Sequence, residues 1–162
     1  MSSLVLCLAM ANKMPYVSAA CICERVITEP DNVNSLIRIV DTYTLQTAPS
    51  AVPLGITPAL NLTVYVSVKA GDVRGEHEIG IVLRRPSGKG TDPQKWPVVL
   101  TGEPESGVNL KLEFGLAGEP GKLPETGLYW FDVTWNGKDL TSIPLKLKQA
   151  DATSAPAVPS KP

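Results

Sequence analysis

The chain has 162 residues, 15 basic and 16 acidic side chains, and a formal net charge of −1. That length suits one domain with a real core, and the charge balance excludes general attraction to nucleic acid or an anionic membrane surface. Thirteen glycines and 15 prolines, the latter roughly twice the usual share, separate short apolar runs, and no window sustains a helical period. This is the punctuation of many turns joining many strands.

The first apolar run, Leu4-Val-Leu-Cys-Leu-Ala-Met-Ala11, is eight residues long, too short to span a bilayer. Lys13 follows it rather than preceding it, the reverse of a signal peptide. Ser18-Ala-Ala-Cys21 is similar to a lipoprotein cleavage box, but Ser18 stands where Leu is usual. Secretion or lipidation is therefore the alternative to a cytoplasmic protein. Because strand patterning begins at Tyr16, we read residues 1–14 as an N-terminal extension, with Met14 the expected natural start. Residues 15–149 form the folded domain and 150–162 a disordered Pro/Ala/Ser tail.

In chain order, Tyr16 to Thr28 is apolar on both faces over its first half, as expected of a central strand. Glu29-Pro-Asp-Asn32 is a turn. From Ser35 to Thr44 the pattern predicts one strand, with Ile37, Ile39, Tyr43 and Leu45 inward. Ala48 to Pro58 holds three prolines and reads as a crossing loop. Leu62, Val64, Val66 and Val68 mark the third strand, and Glu78 to Arg85, burying Ile79, Ile81 and Leu83, the fourth. Trp96-Pro-Val-Val-Leu100 is expected at a sheet edge, since Pro97 has no amide to donate. Val108, Leu110, Leu112, Phe114 and Leu116 alternate cleanly with polar residues.

The last hairpin is the most informative segment. Tyr129, Phe131, Val133 and Trp135 alternate with Leu128, Trp130, Asp132 and Thr134, and Asn136-Gly137 then supplies two residues that tolerate positive φ. A regular two-residue turn puts Leu140 inward but Ile143, Leu145 and Leu147 outward. One register step reverses every side chain, so an irregularity is predicted, either a bulge at Thr141-Ser142 or a longer bulged loop over 136–139. Glu125-Thr-Gly-Leu-Tyr-Trp-Phe131 resembles the D-x-G-x-Y-x-C strand opening of immunoglobulin-like domains, with Phe131 at the cysteine position. The resemblance implies that the Tyr129 hydroxyl bonds back to the preceding loop. The fold expected is all-β, an antiparallel immunoglobulin-like β-sandwich of seven to eight strands.

Three cysteines argue against a disulfide framework and for a reducing compartment. Cys21 and Cys23 share a strand face, but the single His and lack of a second cysteine pair leave a zinc site incomplete. Ala20-Cys-Ile-Cys-Glu24, Ser35-Leu-Ile-Arg-Ile-Val-Asp41, Gly75-Glu-His-Glu-Ile79, Arg85-Pro-Ser-Gly88 and Gly127-Leu-Tyr-Trp-Phe131 together resemble a family of small bacterial β-sandwich proteins of unknown function. The resemblance implies the fold and a bacterial cytoplasmic setting, and it carries no catalytic residues.

Glu76-His77-Glu78 joins a base to carboxylates, but neighbours on a strand point to opposite faces, and no nucleophile accompanies them. Ser87-Gly-Lys-Gly-Thr91 fails as a phosphate loop, because Leu83 and Gly90 replace required residues. Arg84, Arg85, Lys89 and Lys95 form a local basic cluster. Trp130, with Asp132 and Thr134, is expected on an outer face, where a large aromatic suits a contact surface. Trp96 offers a second contact at the edge. The expected function is a non-enzymatic module that binds a protein or self-associates, with no cofactor or metal. The alternative is a carbohydrate- or small-ligand-binding module that stacks sugars on Trp96, Trp130 and Trp135, at least two of them coplanar and exposed.

Overall fold

A computed structural model describes residues 14–45, 59–103, 105–118 and 122–150. The expectations for the N-terminal extension up to residue 13, the crossing loop over 46–58 and the tail from 151 fall outside those residues. Nine strands occur among the described residues: β1 Tyr16–Thr28, β2 Asn34–Ile39, β3 Thr42–Leu45, β4 Ala59–Lys69, β5 Arg74–Arg84, β6 Gln94–Thr101, β7 Gly107–Ala117, β8 Gly127–Trp135 and β9 Lys138–Gln149. They form a four-stranded sheet in the order β2-β1-β4-β7 and a five-stranded sheet in the order β3-β9-β8-β5-β6.

The two sheets face each other across side chains that alternate as a half-buried strand requires. From β4 come Leu62, Val64, Val66 and Val68, from β5 Ile79 and Ile81, and from β8 Tyr129, Phe131, Val133 and Trp135, all buried in one cluster. Phe114 of β7 meets Phe131 of β8 with ring centres 4.5 Å apart, joining the layers. β6 lies at an edge, as the Pro97 position predicts. The Tyr129 hydroxyl donates to the Glu125 carbonyl at 2.6 Å, closing the expected tyrosine corner.

Three details depart from the sequence reading. The run from Ser35 to Thr44 is two strands, which raises the total to nine. At Val40 and Asp41 the chain changes sheets: the Val40 amide donates to the Ile22 carbonyl at 2.8 Å, while the Asp41 carbonyl accepts from the Lys146 amide at 2.9 Å. β3 then runs parallel to β9, so the five-stranded sheet is mixed rather than wholly antiparallel. Extended backbone on both sides of the switch keeps the period of two, which hides it.

The hairpin irregularity exists but lies one residue earlier than expected. Asn136 (φ 48°) and Gly137 (φ 76°) form the turn. Thr134 pairs with Asp139 and Val133 with Thr141, so Leu140 is the extra residue of a bulge. The step turns Ile143, Leu145 and Leu147 into the core, while Leu140 still packs against it.

The third departure is a folded-back arm. β1 pairs with β4 only as far as Cys23 and Thr63, yet continues with β2 to Thr28 and Asn34. The Asn34 side-chain Nδ2 donates to the Tyr65 hydroxyl at 3.5 Å, and the Lys111 ammonium donates to the Thr28 hydroxyl. Tyr65 is paired with Cys21 and with Lys111, seven residues before Thr28. A straight strand would carry Thr28 about 23 Å away, beyond what these side chains span. The β1–β2 hairpin therefore bends after Cys23 and lies back over the outer face of the four-stranded sheet. Thr63, Tyr65 and Ser67 face that side, and all three are buried.

Candidate functional site

On the outer face of the five-stranded sheet, Trp130 lies between Arg84 of β5 and Pro144 of β9. The Arg84 guanidinium carbon is 5.9 Å from the indole centre, within range of a cation–π contact. Arg84 also grips Asp132 with both ends of its fork, Nη2 donating to Oδ1 at 2.9 Å and Nε donating to Oδ2. The Ser142 hydroxyl donates to Oδ1 at 2.7 Å. The Arg84 hydrogen bonds, then the Ser142 bond, hold the Asp132 carboxyl below the usual carboxylate range, and Asp132 raises the guanidinium in turn. Thr134 sits over Gly80, where an added Cβ would lie 2.6 Å from its hydroxyl oxygen. Trp130 is therefore half-buried in a satisfied polar network rather than an open aromatic contact.

The remaining residues singled out from sequence are scattered. Trp96 faces inward with Val98 and Leu100 and packs against the core; the exposed large residue of β6 is Val99, at 71%. Trp135 is 2% exposed. The three indoles thus occupy three different environments and make no stacking platform. Of the basic cluster, Arg84 is bound to Asp132 and Lys95 to Glu78 at 2.9 Å. Arg85 turns to a cleft at one end of the sandwich, lined also by Lys89, Lys122 and Glu125.

His77 and its two carboxylate neighbours diverge as the strand alternation requires. The imidazole stacks on Trp135, ring centres 4.7 Å apart at 30°. Nε2 lies 3.0 Å from the Arg74 carbonyl and Nδ1 3.0 Å from the Asn136 side-chain amide nitrogen. A carbonyl can only accept, so Nε2 carries the proton and Nδ1 accepts from Asn136. Nδ1 thus ties the final hairpin to β5, while Nε2 holds the ring against its own strand at Arg74. Among the described residues no cluster of three or more His, Cys, Asp and Glu side chains is placed to hold a metal. The Cys23 thiol is buried beside the Thr63 carbonyl at 3.7 Å. Burial, first of all, pushes the thiols of Cys21 and Cys23 up, so they pack as neutral groups.

What the sequence reading missed is the arm itself. Ile27, Val33, Ile37 and Ile39 are 39%, 57%, 44% and 58% exposed, although Ile37 and Ile39 were expected in the core. The inward-facing positions of the arm instead place Thr28 and Asn34 against Lys111 and Tyr65. Ser35-Leu-Ile-Arg-Ile-Val40 does carry a legible signal, since apolar residues occupy both of its alternating sets. A groove lies in the crook of the arm, lined by Glu24, Arg25, Asn61, Thr63, Lys111 and Glu113.

A model described as a family of unknown function, DUF6941, matches residues 18–148. Comparison with curated proteins gives no significant match. Among solved structures, the chain is similar to an alkylpurine DNA glycosylase of Pseudomonas fluorescens bound to DNA containing an abasic-site analogue. That match has 13% identity and a TM-score of 0.40, over 80% of this chain and 30% of the other. A β-glucosidase of Listeria innocua matches at 16% identity and a TM-score of 0.37, over 82% of this chain and 16% of the enzyme. An immunoglobulin-like protein of Pseudomonas aeruginosa matches at 11% identity and a TM-score of 0.33, over 85% of this chain and 99% of the other. The chain thus spans less than a third of either enzyme. No helix among the described residues is long and apolar enough to cross a membrane.

Proposed function

The chain belongs to the DUF6941 family of unknown function, and from its surface we propose that it is a non-enzymatic binding module that holds another polypeptide through the β1–β2 arm. One observation carries the reading: four large aliphatic side chains, Ile27, Val33, Ile37 and Ile39, stand exposed on the single folded-back β1–β2 hairpin. Scattered surface aliphatics need no explanation, but a cluster on one element marks a contact site. An isolated two-stranded hairpin is only marginally stable in water, so a partner lying on it would add order as well as burial. The arm replaces Trp130 and Trp96 as the contact surface, because those two rings are already packed. Cytoplasmic residence belongs to the same reading, supported by the free thiols of Cys21 and Cys23 and the odd cysteine count.

A photo-crosslinking amino acid placed at Ile37 tests this in cells expressing the full chain. A polypeptide adduct is expected from position 37 and is expected to vanish when Ile27→Asp and Ile39→Asp are added. No adduct at position 37, or adducts from position 130 alone, would overturn the assignment.

A further inference from the structure

We infer that the partner of the arm is a second copy of this chain, the two arms packing antiparallel about a two-fold axis. The inference rests on the reading of the arm as the contact surface and adds the identity and orientation of what covers it. Charge along the arm is the reason. Its tip carries Glu29 and Asp31, and its base carries Arg25 with the Arg38–Glu24 pair. None of the three ion pairs among the described residues uses Arg25, Glu29 or Asp31. The arm therefore carries Glu29 and Asp31 at its tip, which Lys111 approaches through Thr28, and Arg25 level with Ile37 at its base, with Ile27 between the two ends.

A two-fold interface brings the same patch together from both copies. Antiparallel arms set each acidic tip beside the basic base of the other and close the isoleucines between them; parallel arms would oppose like charges. Arg25 and Glu29 are four residues apart, about 13 Å of strand, so one arm length sets the register. β2 is also the last strand on its side of the sheet. Arg38, with φ 52°, interrupts that edge in the manner of a bulge that discourages strand addition. The copies are thus expected to meet through side-chain faces rather than by extending the sheet. The arm is short, so the interface sits at the low end of specific interface sizes and the dimer is weak and reversible.

Sedimentation velocity on the full chain, from low to high micromolar concentration, tests the inference. A reversible monomer–dimer equilibrium is expected for the wild type and no dimer for Ile37→Asp. Arg25→Glu or Glu29→Lys alone should each weaken association about tenfold, and the double exchange should restore most of it. Glu29 is chosen over Asp31 because the Asp31 carboxylate accepts from the Val33 amide and shapes the turn. Thermal melts matching the wild type within a degree or so would show that the variants fold. A chain that stays monomeric throughout, a dimer indifferent to Ile37→Asp, or single exchanges that the double fails to rescue would each overturn the antiparallel pairing. If the chain is monomeric while the crosslinker at position 37 still captures a different polypeptide, the second-copy inference falls and the arm reading stands. Loss of both signals removes both.

Discussion

Asn136 and His77 are joined side chain to side chain at 3.0 Å, 59 residues apart in sequence. The same Asn136 accepts from the Glu78 amide through Oδ1 at 2.9 Å and donates its own amide to the Glu78 carbonyl at 2.8 Å. The turn residue chosen for its tolerance of positive φ is thus also the clasp between β5 and the last hairpin. Asn136→Ala removes the two side-chain bonds and leaves alanine at φ 48°. It is expected to cost about 2 kcal/mol in urea unfolding with an unchanged m value. Gly137→Ala, which meets nothing within 4 Å and suffers only the strain of φ 76°, should cost about 1 kcal/mol. If the two costs are equal, the clasp has no energetic role.

Tyr129 gives a test at alkaline pH. Burial, then the neighbouring Glu125 carboxylate, pushes its phenol above the ordinary value. Above the unfolded value of about 10 the folded chain then holds a proton that the unfolded chain releases, so stability falls as pH rises. Absorbance titration should show that one of the four tyrosines ionises only as the protein unfolds, and Tyr129→Phe should abolish that step. The same variant, having lost the 2.6 Å bond to Glu125, should lose about 1 kcal/mol at neutral pH. A smooth ionisation of all tyrosines in the folded state would contradict the corner.

Much of the sandwich is legible because its core is one-sided. The inward sets of β4, β7 and β8 are the alternations at Leu62–Val68, Val108–Leu116 and Tyr129–Trp135, since each strand meets the other sheet through one face only. The need for an extra residue in the last hairpin follows from the same rule, because the outward Ile143, Leu145 and Leu147 would have left a greasy surface. The passage of the chain between sheets at Val40 was not legible, since both halves stay extended. The arm was hidden for a related reason: alternation says which residues share a face but not whether that face is covered. Ile37 and Ile39 were placed inside on pattern alone, whereas Thr63 and Tyr65 lie under a hairpin whose one local sign is apolar residues on both alternating sets of 35–40. Trp130 lies on the outer face as expected, but its partial cover was not legible, because it is not an element but the single side chain of Arg84.

Asp132 should shape the acid limb of the stability curve. Its carboxyl is held low, first by the Arg84 hydrogen bonds and then by the Ser142 hydroxyl. A depressed acid contributes stability above its unfolded value of about 3.9, and that contribution disappears as pH falls below about 4. Both partners meet solvent, so the effect is small. Asp132→Asn is expected to lower the melting temperature by about 2–4 °C at pH 7 and by nothing at pH 2.5. A constant difference at both pH values would assign the loss to packing against Trp130 instead.

The thiols of Cys21 and Cys23 should be poor nucleophiles in the native protein. Burial raises both, and for Cys21 the nearby Cys23 and Asp41 add to it. Alkylation by iodoacetamide at neutral pH, followed by peptide mapping, should be at least about tenfold slower at each residue than in urea. Fast labelling of Cys23 in the native state would mean that the fold opens around the root of the arm.

Hydrogen exchange can decide how firmly the arm is held. Beyond Cys23 its ladder bonds run only between β1 and β2, and the polar contacts at its tip come from Tyr65 and Lys111. Removing them leaves the hairpin resting on the sheet without its polar anchors, and a two-stranded hairpin adds little stability of its own. Tyr65→Phe combined with Lys111→Ala should therefore speed amide exchange across residues 25–37 about tenfold. Residues 19–23 remain paired with β4 and should keep wild-type rates. Faster exchange in both segments would mean that the two contacts support the whole four-stranded sheet. Unchanged rates in both would mean that the bend after Cys23 is stiff enough to hold the arm without its tip.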